Sequence, residues 1–371
     1  MVEKFDNFII TFFVVIVLPS FNASTNETEN VICSDLKNIP FFGSFLVSHT
    51  NVNHKRIETE YYLSTSYEKK LVKINLHDDW TELEKSWFDP TAKTFILIHG
   101  YRSGGKKPWV LELKERLLST RQANVIIVDW NNASHTKNYI TAAKKTEFIS
   151  NKIFNFLQKL KPNVEKLINT SINIKWNRLH FIGHSLGAHI SGQTAHILKQ
   201  DPFWKVERIT GLDPAKPCFV GVKPNLRIDK DNANFVDIIH TQVGTGISGF
   251  GIKENIGHTD FYVNGGVAQP QCLGSVLTPK WKTVICSHKS SVKYFIDSIV
   301  DLQNDTCLFE GYEWDKTYND ALRILNEKMG GQPCENCPKM GINANVSKKR
   351  GNFLVITSLH EPYCRKLKLF T

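Results

Sequence analysis

Five residues near the middle of the chain, Gly183-His184-Ser185-Leu186-Gly187, constrain the fold more than any other stretch. An apolar run, 178–182, precedes them, and a run of small residues with helical character, 188–198, follows. A G-x-S-x-G sequence between a strand and a helix is typical of a nucleophile elbow, where glycines permit a tight turn that exposes the serine hydroxyl. The first N–H groups of the helix then point at the oxygen that becomes negative during attack. The motif predicts acyl transfer at Ser185; the alternative is a glycine-rich turn with a solvated serine.

The N-terminal segment and the cysteines predict an exported protein. Lys4 precedes the apolar run 8–18, and small or polar residues follow around Ala23, so residues 1–23 are interpreted as a secretory signal peptide. A membrane anchor is the alternative, but this apolar run is too short to cross a bilayer. The chain contains 8 cysteines, which indicate up to four disulfides in an oxidising compartment. We therefore expect a secreted, extracellular protein.

Charge and glycosylation sequons agree with export. The net charge of +10 is spread over many lysines, so it serves either solubility or attraction to an anionic membrane surface. Nucleic acid is not an expected partner of an exported chain. Sequons of the N-x-S/T type predict glycans at four positions: Asn132, Asn169, Asn304 and Asn345.

The alternation of apolar runs and amphipathic segments predicts an α/β fold. Strands are expected at 57–66 (as an edge strand), 93–98, 124–128, 179–182, 209–212, 236–240 and 352–357. Helices are expected at 109–118, 141–160, 188–198 and 290–302. Strands that alternate with helices form a mostly parallel sheet with helices on both faces. No linker composition or repeat divides residues 24–371, so we expect a single domain there.

A catalytic serine needs a base to accept its proton and an acid to orient that base. In chains of the α/β-hydrolase type the order along the sequence is nucleophile, acid, histidine, each on a loop after a strand. Asp213 follows the predicted strand 209–212, and Pro214 prevents a helix from starting there. His288 lies downstream, next to Cys286, on a predicted loop before a helix. These positions predict Ser185, Asp213 and His288 as the catalytic residues.

The chain has 13 histidines, so several others are candidates for the base. His258, in a glycine-rich loop, is the second choice, and His240 ends a buried strand. His184 and His189 lie on the elbow and its helix, where reaching back to the serine is sterically awkward, so they are interpreted as packing residues.

The oxyanion formed during attack requires two N–H donors. One is expected from Leu186, the residue after the nucleophile, and the other from Tyr101, directly after His99-Gly100. Both donors belong to the main chain, so the turn geometry matters more than these side chains.

Six motifs in one order resemble the pancreatic lipase family, and within it the secreted phospholipases A1 of insect venom and saliva. The motifs are His99-Gly100-Tyr101, Val128-Asp129-Trp130, Gly183-His184-Ser185-Leu186-Gly187-Ala188-His189, Gly211-Leu212-Asp213-Pro214-Ala215, Asp260-Phe261-Tyr262-Val263-Asn264-Gly265-Gly266 and Cys337-Pro338-Lys339-Met340-Gly341. The resemblance implies an α/β-hydrolase fold, the same three catalytic residues, the same two oxyanion donors and no cofactor.

The resemblance also implies a substrate class. Cys272 and Cys286 match the cysteines that bracket the family's lid, which implies a disulfide between them and a short lid, 273–285. A short lid goes with cleavage of the sn-1 ester of phospholipids, whereas the long glycine-rich loop 243–256 resembles that of neutral triacylglycerol lipases. A phospholipase A1 at a membrane or micelle interface is therefore the first interpretation. A triacylglycerol lipase is the alternative, and a non-catalytic lipid or yolk-type binding protein is a third.

Other family features are expected to be absent. About thirty residues follow Met340, so the resemblance implies neither a C-terminal β-sandwich domain nor a colipase partner. At the family's structural calcium site Asp229 matches a ligand, but Pro224 and Asn232 replace carboxylates, so no metal is predicted. The pairing of the remaining cysteines is open, although Cys334-x-x-Cys337 is interpreted as a structural bridge: Cys33, Cys218, Cys307, Cys334, Cys337 and Cys364.

Overall fold

A computed structural model describes most of the chain after the predicted leader. The described residues are 32–33, 57–74, 87–168, 176–244, 249–274, 280–299, 308–328, 334 and 336–364. The predicted signal peptide 1–23, the sequons at Asn169 and Asn304, Cys307 and part of the predicted lid, 275–279, lie outside the described residues.

One sheet of 10 strands runs through the described part of the molecule. The strands are β1 Glu60–Thr65, β2 Val72–Ile74, β3 Lys93–Ile98, β4 Ala123–Asp129, β5 Trp176–His184, β6 Trp204–Leu212, β7 Phe235–His240, β8 Thr259–Val263, β9 Gly311–Glu313 and β10 Gly351–Val355. Their order across the sheet is β2-β1-β4-β3-β5-β6-β7-β8-β10-β9. The strands from β4 to β10 in this order are parallel to one another, and β1, β2 and β9 are joined by antiparallel pairs at the two ends.

Helices cover both faces of this sheet. The α-helices are α1 Pro108–Thr120, α2 Asn131–Ser134, α3 Tyr139–Lys144, α4 Thr146–Ile168, α5 Leu186–Leu198, α6 Lys280–Asp297 and α7 Tyr318–Lys328. Short 3₁₀ helices occur at Pro224–Leu226, Lys230–Asn232, Asn264–Gly266 and Pro270–Cys272. Within the described ranges no helix combines the length and the apolar character that crossing a membrane requires.

Two apolar layers lie on opposite faces of the sheet, and the alternation of side chains along each strand builds both. In β3, Ile96 and Ile98 join the layer that contains Phe156 of α4. Phe95 and Leu97 point the other way and join the layer that contains Phe295 of α6. All four β3 side chains are at most 1% exposed, as expected for a central strand covered on both faces. The predicted α/β-hydrolase fold, with a mostly parallel sheet between helices, is confirmed.

Several predicted elements differ in detail. The strand predicted at 57–66 is not an edge strand, because β2 pairs with its outer side and β4 with its inner side. The strand at 352–357 lies second from the other end, since β9 covers it. The single helix predicted at 141–160 is divided at Lys145 into α3 and α4, and α4 continues through Pro162. The sequence pattern predicts neither β8 nor α7.

The prediction for the region of His288 is wrong in one respect that matters for the site. A loop was expected around this residue and a helix only from residue 290. Helix α6 instead starts at Lys280 and includes His288. No glycine or proline occurs between Lys280 and Asp297, so nothing in the sequence interrupts the helix. The last six residues of the predicted lid, 280–285, therefore belong to α6.

Candidate active site

Ser185 occupies the sharp turn between β5 and α5. Its backbone angles, φ 57° and ψ −121°, are strained for a residue with a side chain, and such strain is typical of functional turns. The turn is tight because α5 approaches β3 closely at Gly187, where a Cβ atom would lie 2.1 Å from the carbonyl oxygen of Ile98. The serine is 6% exposed, and Leu186 is the first residue of the helix, where the N–H has no partner within the helix.

The register of the parallel strands brings Asp213 beside the serine. His184 at the end of β5 pairs with Leu212 at the end of β6, so the residues that follow them leave the sheet at the same edge. The amide of Ser185 donates to the carbonyl of Leu212 with a distance of 3.0 Å. Catalytic groups in open α/β sheets lie at this carboxyl-end edge.

Two backbone N–H groups and one imidazole hold the Asp213 carboxylate, which is fully buried. Its Oδ1 accepts from the amides of Thr241 and Gln242, at 2.8 and 3.1 Å. Its Oδ2 accepts from Nδ1 of His288 at 2.6 Å. Three donors on one buried carboxylate fix its position.

His288 projects from α6 towards Asp213 and the elbow. Because the carboxylate accepts from Nδ1–H, Nε2 is the ring nitrogen that can take up a proton from a serine hydroxyl. Within the described residues no hydrogen bond joins the Ser185 hydroxyl to the His288 ring, whereas the Asp213–His288 bond is already made. In enzymes without substrate, catalytic hydrogen bonds are often long and tighten when substrate binds.

His184 packs directly against His288. The two ring centroids are 4.7 Å apart, and Nε2 of His184 donates to the backbone carbonyl of His288 at 3.2 Å. Burial lowers the pKa of His184 well below its usual value, and the nearby His288 ring lowers that pKa further. The His184 ring, kept neutral by burial, thus supports the helix backbone at His288.

The loop after β3 lies against the serine. A Cβ atom at Gly100 would be 2.8 Å from Cβ of Ser185, so the backbone entering Tyr101 passes close to the elbow. Trp130, in the loop after β4, fixes this segment: its indole N–H donates to the carbonyl of His99 at 2.7 Å, and its amide donates to Nε2 of His99 at 3.1 Å. Tyr101 and Leu186 thus lie on the two backbone segments that flank Ser185.

Sequence reasoning missed one wall of the site. The ring of Phe250 meets the ring of His288 edge to face, with centroids 5.7 Å apart. At the next position, Gly251, a Cβ atom would lie 2.4 Å from Oδ1 of Asp213. These contacts form because the loop after β7 folds back over the sheet edge. No local sequence pattern predicts this path of the loop.

The other candidate histidines contact neither Ser185 nor Asp213 through their rings. His258 precedes β8 and accepts from the amide of Val236 at 3.0 Å, which places it at the opposite edge of the parallel sheet from Ser185. His240 pairs with Asp260 at 2.8 Å. His189 is buried in α5 and bonds the carbonyl of Ala215 at 2.7 Å, in agreement with a packing role.

Three disulfides lie within the described residues. They join Cys33 to Cys218, Cys272 to Cys286, and Cys334 to Cys337. The second connects the 3₁₀ helix Pro270–Cys272 to α6 two residues before His288. It therefore attaches the helix that carries the imidazole to the loop after β8.

The candidate calcium position does not fit a cation. Asp229 is paired with the guanidinium of Arg227, with 3.0 Å between Oδ2 and Nη2, and it caps the 3₁₀ helix Lys230–Asn232. A fixed positive charge already neutralises the remaining carboxylate. In the part of the chain that the structure describes, no group of three or more His, Cys, Asp or Glu side chains is arranged to hold a metal ion.

The chain is similar to known lipases over most of its length. A family model described as Lipase matches residues 26–363. Pancreatic triacylglycerol lipase of Sus scrofa is 32% identical over 299 residues, which cover 77% of this chain and 62% of that protein. Pancreatic lipase-related protein 2 of Mus musculus is 32% identical over 77% of this chain and 57% of that protein. Lipase member H of Mus musculus is 35% identical over 70% of this chain and 52% of that protein.

The aligned regions thus span between about half and two thirds of these relatives' lengths. The match of the family model covers most of the chain, including the elbow, the Asp213 loop and α6. The chain belongs to the pancreatic lipase family.

Proposed function

We propose that this protein is a serine carboxylic-ester hydrolase in which Ser185 is the nucleophile, His288 the general base and Asp213 the residue that orients the imidazole. The observation that carries the proposal is the 2.6 Å bond between His288 Nδ1 and Asp213 Oδ2, next to a serine in a strained elbow. Membership of the lipase family supports hydrolysis of a lipid ester.

The reaction proceeds through an acyl-enzyme. His288 Nε2 takes the hydroxyl proton as Ser185 Oγ bonds to the ester carbonyl carbon, and the amides of Leu186 and Tyr101 stabilise the oxyanion. The bond to the alcohol oxygen then breaks, and the leaving alcohol receives the proton from His288. A water molecule attacks the acyl-enzyme, passing one proton through His288 to Ser185, and the free fatty acid leaves.

We propose the sn-1 ester of phospholipids as the substrate. The disulfide between Cys272 and Cys286 spans a sequence separation of 14, and part of that segment is the first turns of α6. A lid this short leaves the cleft accessible, so a polar head group can stay hydrated while an acyl chain enters. The similarity to a pancreatic triacylglycerol lipase favours neutral lipid as the second candidate substrate.

Export to the extracellular space is part of the proposal. The three disulfides within the described residues support an oxidising compartment. The signal peptide 1–23 stays a prediction, as do the four glycans. The described sequon residues, Asn132 and Asn345, are both exposed.

Replacement of Ser185 by alanine tests the chemistry. We expect turnover of a short-chain ester to fall by several orders of magnitude while the thermal unfolding transition stays unchanged. Labelling by a fluorophosphonate, which reacts with activated serines, should disappear in the same variant. Ser185→Ala protein that retains near-normal turnover would refute the assignment.

A separate assay distinguishes the substrates. Phosphatidylcholine with a different acyl chain at each position is supplied beside a triacylglycerol, and the released fatty acids are identified. Release of the sn-1 chain faster than any triacylglycerol hydrolysis supports a phospholipase A1. The reverse preference would assign the protein to neutral lipid.

A further inference from the structure

Besides His288–Asp213 and His99–Asp129, a further histidine–aspartate pair is formed by His240 and Asp260. His240 lies one residue before Thr241, whose amide binds Asp213. His240, at the end of β7, is fully buried. Its Nδ1 lies 2.8 Å from the carbonyl oxygen of Ile252, and its Nε2 lies 2.8 Å from Oδ1 of Asp260 on β8. A carbonyl only accepts hydrogen bonds, so Nδ1 must carry a proton.

His189 provides a contrast within the same chain. Its Nε2 faces a carbonyl, that of Ala215, but its Nδ1 accepts from the amide of Ile228 at 3.3 Å. One donor and one acceptor satisfy a neutral ring. Both nitrogens of His240 face acceptors, so a neutral ring there would leave two acceptors, a ring nitrogen and a carboxylate oxygen, facing each other.

The surroundings of Asp260 favour a carboxylate over a carboxylic acid. Its Oδ1 also accepts from the amide of Ile256 at 3.3 Å, and its Oδ2 accepts from the amide of Gly257 at 3.2 Å. Backbone donors on both oxygens stabilise the ionised form. The ring of Tyr262 stacks on His240, with centroids 4.2 Å apart and 5° between planes, and an aromatic face attracts a cation.

One other cation contacts this stack. Lys316 lies over the Tyr262 ring, with its Nζ 5.1 Å from the ring centroid and 3.3 Å from the phenol oxygen. Lys253 and Glu254 are exposed on the loop after β7. The carboxylate of Asp260 is therefore the charge in direct contact with His240, and the pair is an imidazolium bonded to a carboxylate.

This pair holds the loop that forms one wall of the candidate active site. Ile252 accepts from His240 through its carbonyl, and its own amide donates to the carbonyl of Pro214 at 2.9 Å. One residue earlier, the amide of Gly251 donates to the carbonyl of Gln242 at 2.9 Å. The loop segment 250–252 is thus bonded both to the residue after Asp213 and to a residue whose amide binds Asp213.

We propose that His240, kept as an imidazolium by Asp260, is a positioning residue that clamps loop segment 250–252 against Asp213 and so sets Phe250 beside the His288 ring. The expected effect of His240 on kinetics rests on the proposed function. The expected protonation state of His240 does not. His240 touches neither substrate nor the reacting atoms, and it acts through the backbone around Asp213.

Nuclear magnetic resonance of the complete, unsubstituted chain tests the charge directly. With ¹⁵N-labelled histidine, we expect both ring nitrogens of His240 to carry protons at neutral pH, whereas His189 shows one. In Asp260→Asn the amide can donate to Nε2, so His240 is expected to retain only the Nδ1 proton. A single ring proton on His240 in the unsubstituted protein would overturn the proposal. This measurement stands even if the protein hydrolyses no ester.

Kinetics of three variants test the positioning role. In His240→Gln, which keeps one donor, we expect kcat to fall by about 10- to 100-fold with little change in KM, and the low-field resonance of the His288 Nδ1 proton to shift. In His240→Leu, which keeps none, kcat should be lower still. The control, His258→Gln at the opposite sheet edge, should keep both kcat and the resonance. Unchanged kcat and an unshifted His288 resonance in His240→Gln would refute the clamp.

Discussion

The backbone packs directly against the carboxylate of Asp213, and at Gly251 it can do so because that residue has no side chain. A Cβ atom there would lie 2.4 Å from Oδ1 and 2.8 Å from Cγ of Asp213. The same oxygen accepts from the amides of Thr241 and Gln242. The carboxylate is therefore fixed by close contact on one side and by hydrogen bonds on another, and any displacement also moves the bond to His288.

Replacing Gly251 with alanine should misplace Asp213, the proposed acid of the catalytic triad. Because the added methyl group overlaps the carboxylate, we expect kcat to fall by about 100-fold, the scale of a 1 Å displacement of a reacting group. The matched control is Gly104→Ala, where the nearest atom to a Cβ is 3.7 Å away, an ordinary contact. Steady-state kinetics of both variants on one ester measure the difference. Equal kcat values in the two variants would contradict the expected clash.

At this scale the sequence predicts the residues that carry reactive groups and misses those that surround them. Ser185 and Asp213 are visible from the sequence because each has a local signature, a glycine-flanked turn and a strand followed by Asp-Pro. Phe250 and Gly251 have no such signature, since their contacts depend on how the loop after β7 folds back. A glycine in a loop does not reveal in one sequence what it touches.

Helix α6 begins earlier in the structure than the sequence predicts. The sequence predicts a helix over 290–302 and a loop at His288. The structure starts it at Lys280, and neither glycine nor proline interrupts it before Asp297. His288 therefore stands on a rigid helix rather than a loop.

The three described disulfides should stabilise the protein to different degrees. The sequence separations are 185 for Cys33–Cys218, 14 for Cys272–Cys286 and 3 for Cys334–Cys337. If each bridge acts by constraining the unfolded chain, its removal should lower the free energy of unfolding by about 5, 3 and 2 kcal/mol, in that order. Paired serine variants and denaturant unfolding measure these values. The Cys272–Cys286 variant should also lose activity before it unfolds globally, because the attachment of α6 near His288 is released. The reverse ranking would show that the bridges act mainly on the folded state.

For the whole molecule, the alternation of strands and helices is sufficient to predict the fold class. The sequence does not predict which strands form the two edges of the sheet. The central strands are continuous apolar runs, which local pattern identifies. Strands β2 and β9 have 3 residues each, too few for any periodicity to appear. Their presence makes β1, expected as an edge strand, an inner one and places β9 outside β10. The position of an edge depends on partners that are remote in sequence.

Three buried histidines, His180, His184 and His189, should make the whole fold sensitive to acid. Burial lowers the pKa of each, for His189 to about 3, whereas unfolded histidine has a pKa of about 6.5. Below that pH the unfolded chain binds protons that the folded chain does not, so the free energy of unfolding falls as pH decreases, by up to about 1.4 kcal/mol per pH unit for each histidine. Above about pH 7 this contribution is constant. Urea unfolding at pH 7.5 and 5 should show a lower free energy of unfolding at pH 5. In His189→Gln the difference between the two pH values should be smaller by the contribution of one histidine. The same pH dependence in both proteins would mean that His189 is not buried in its neutral form.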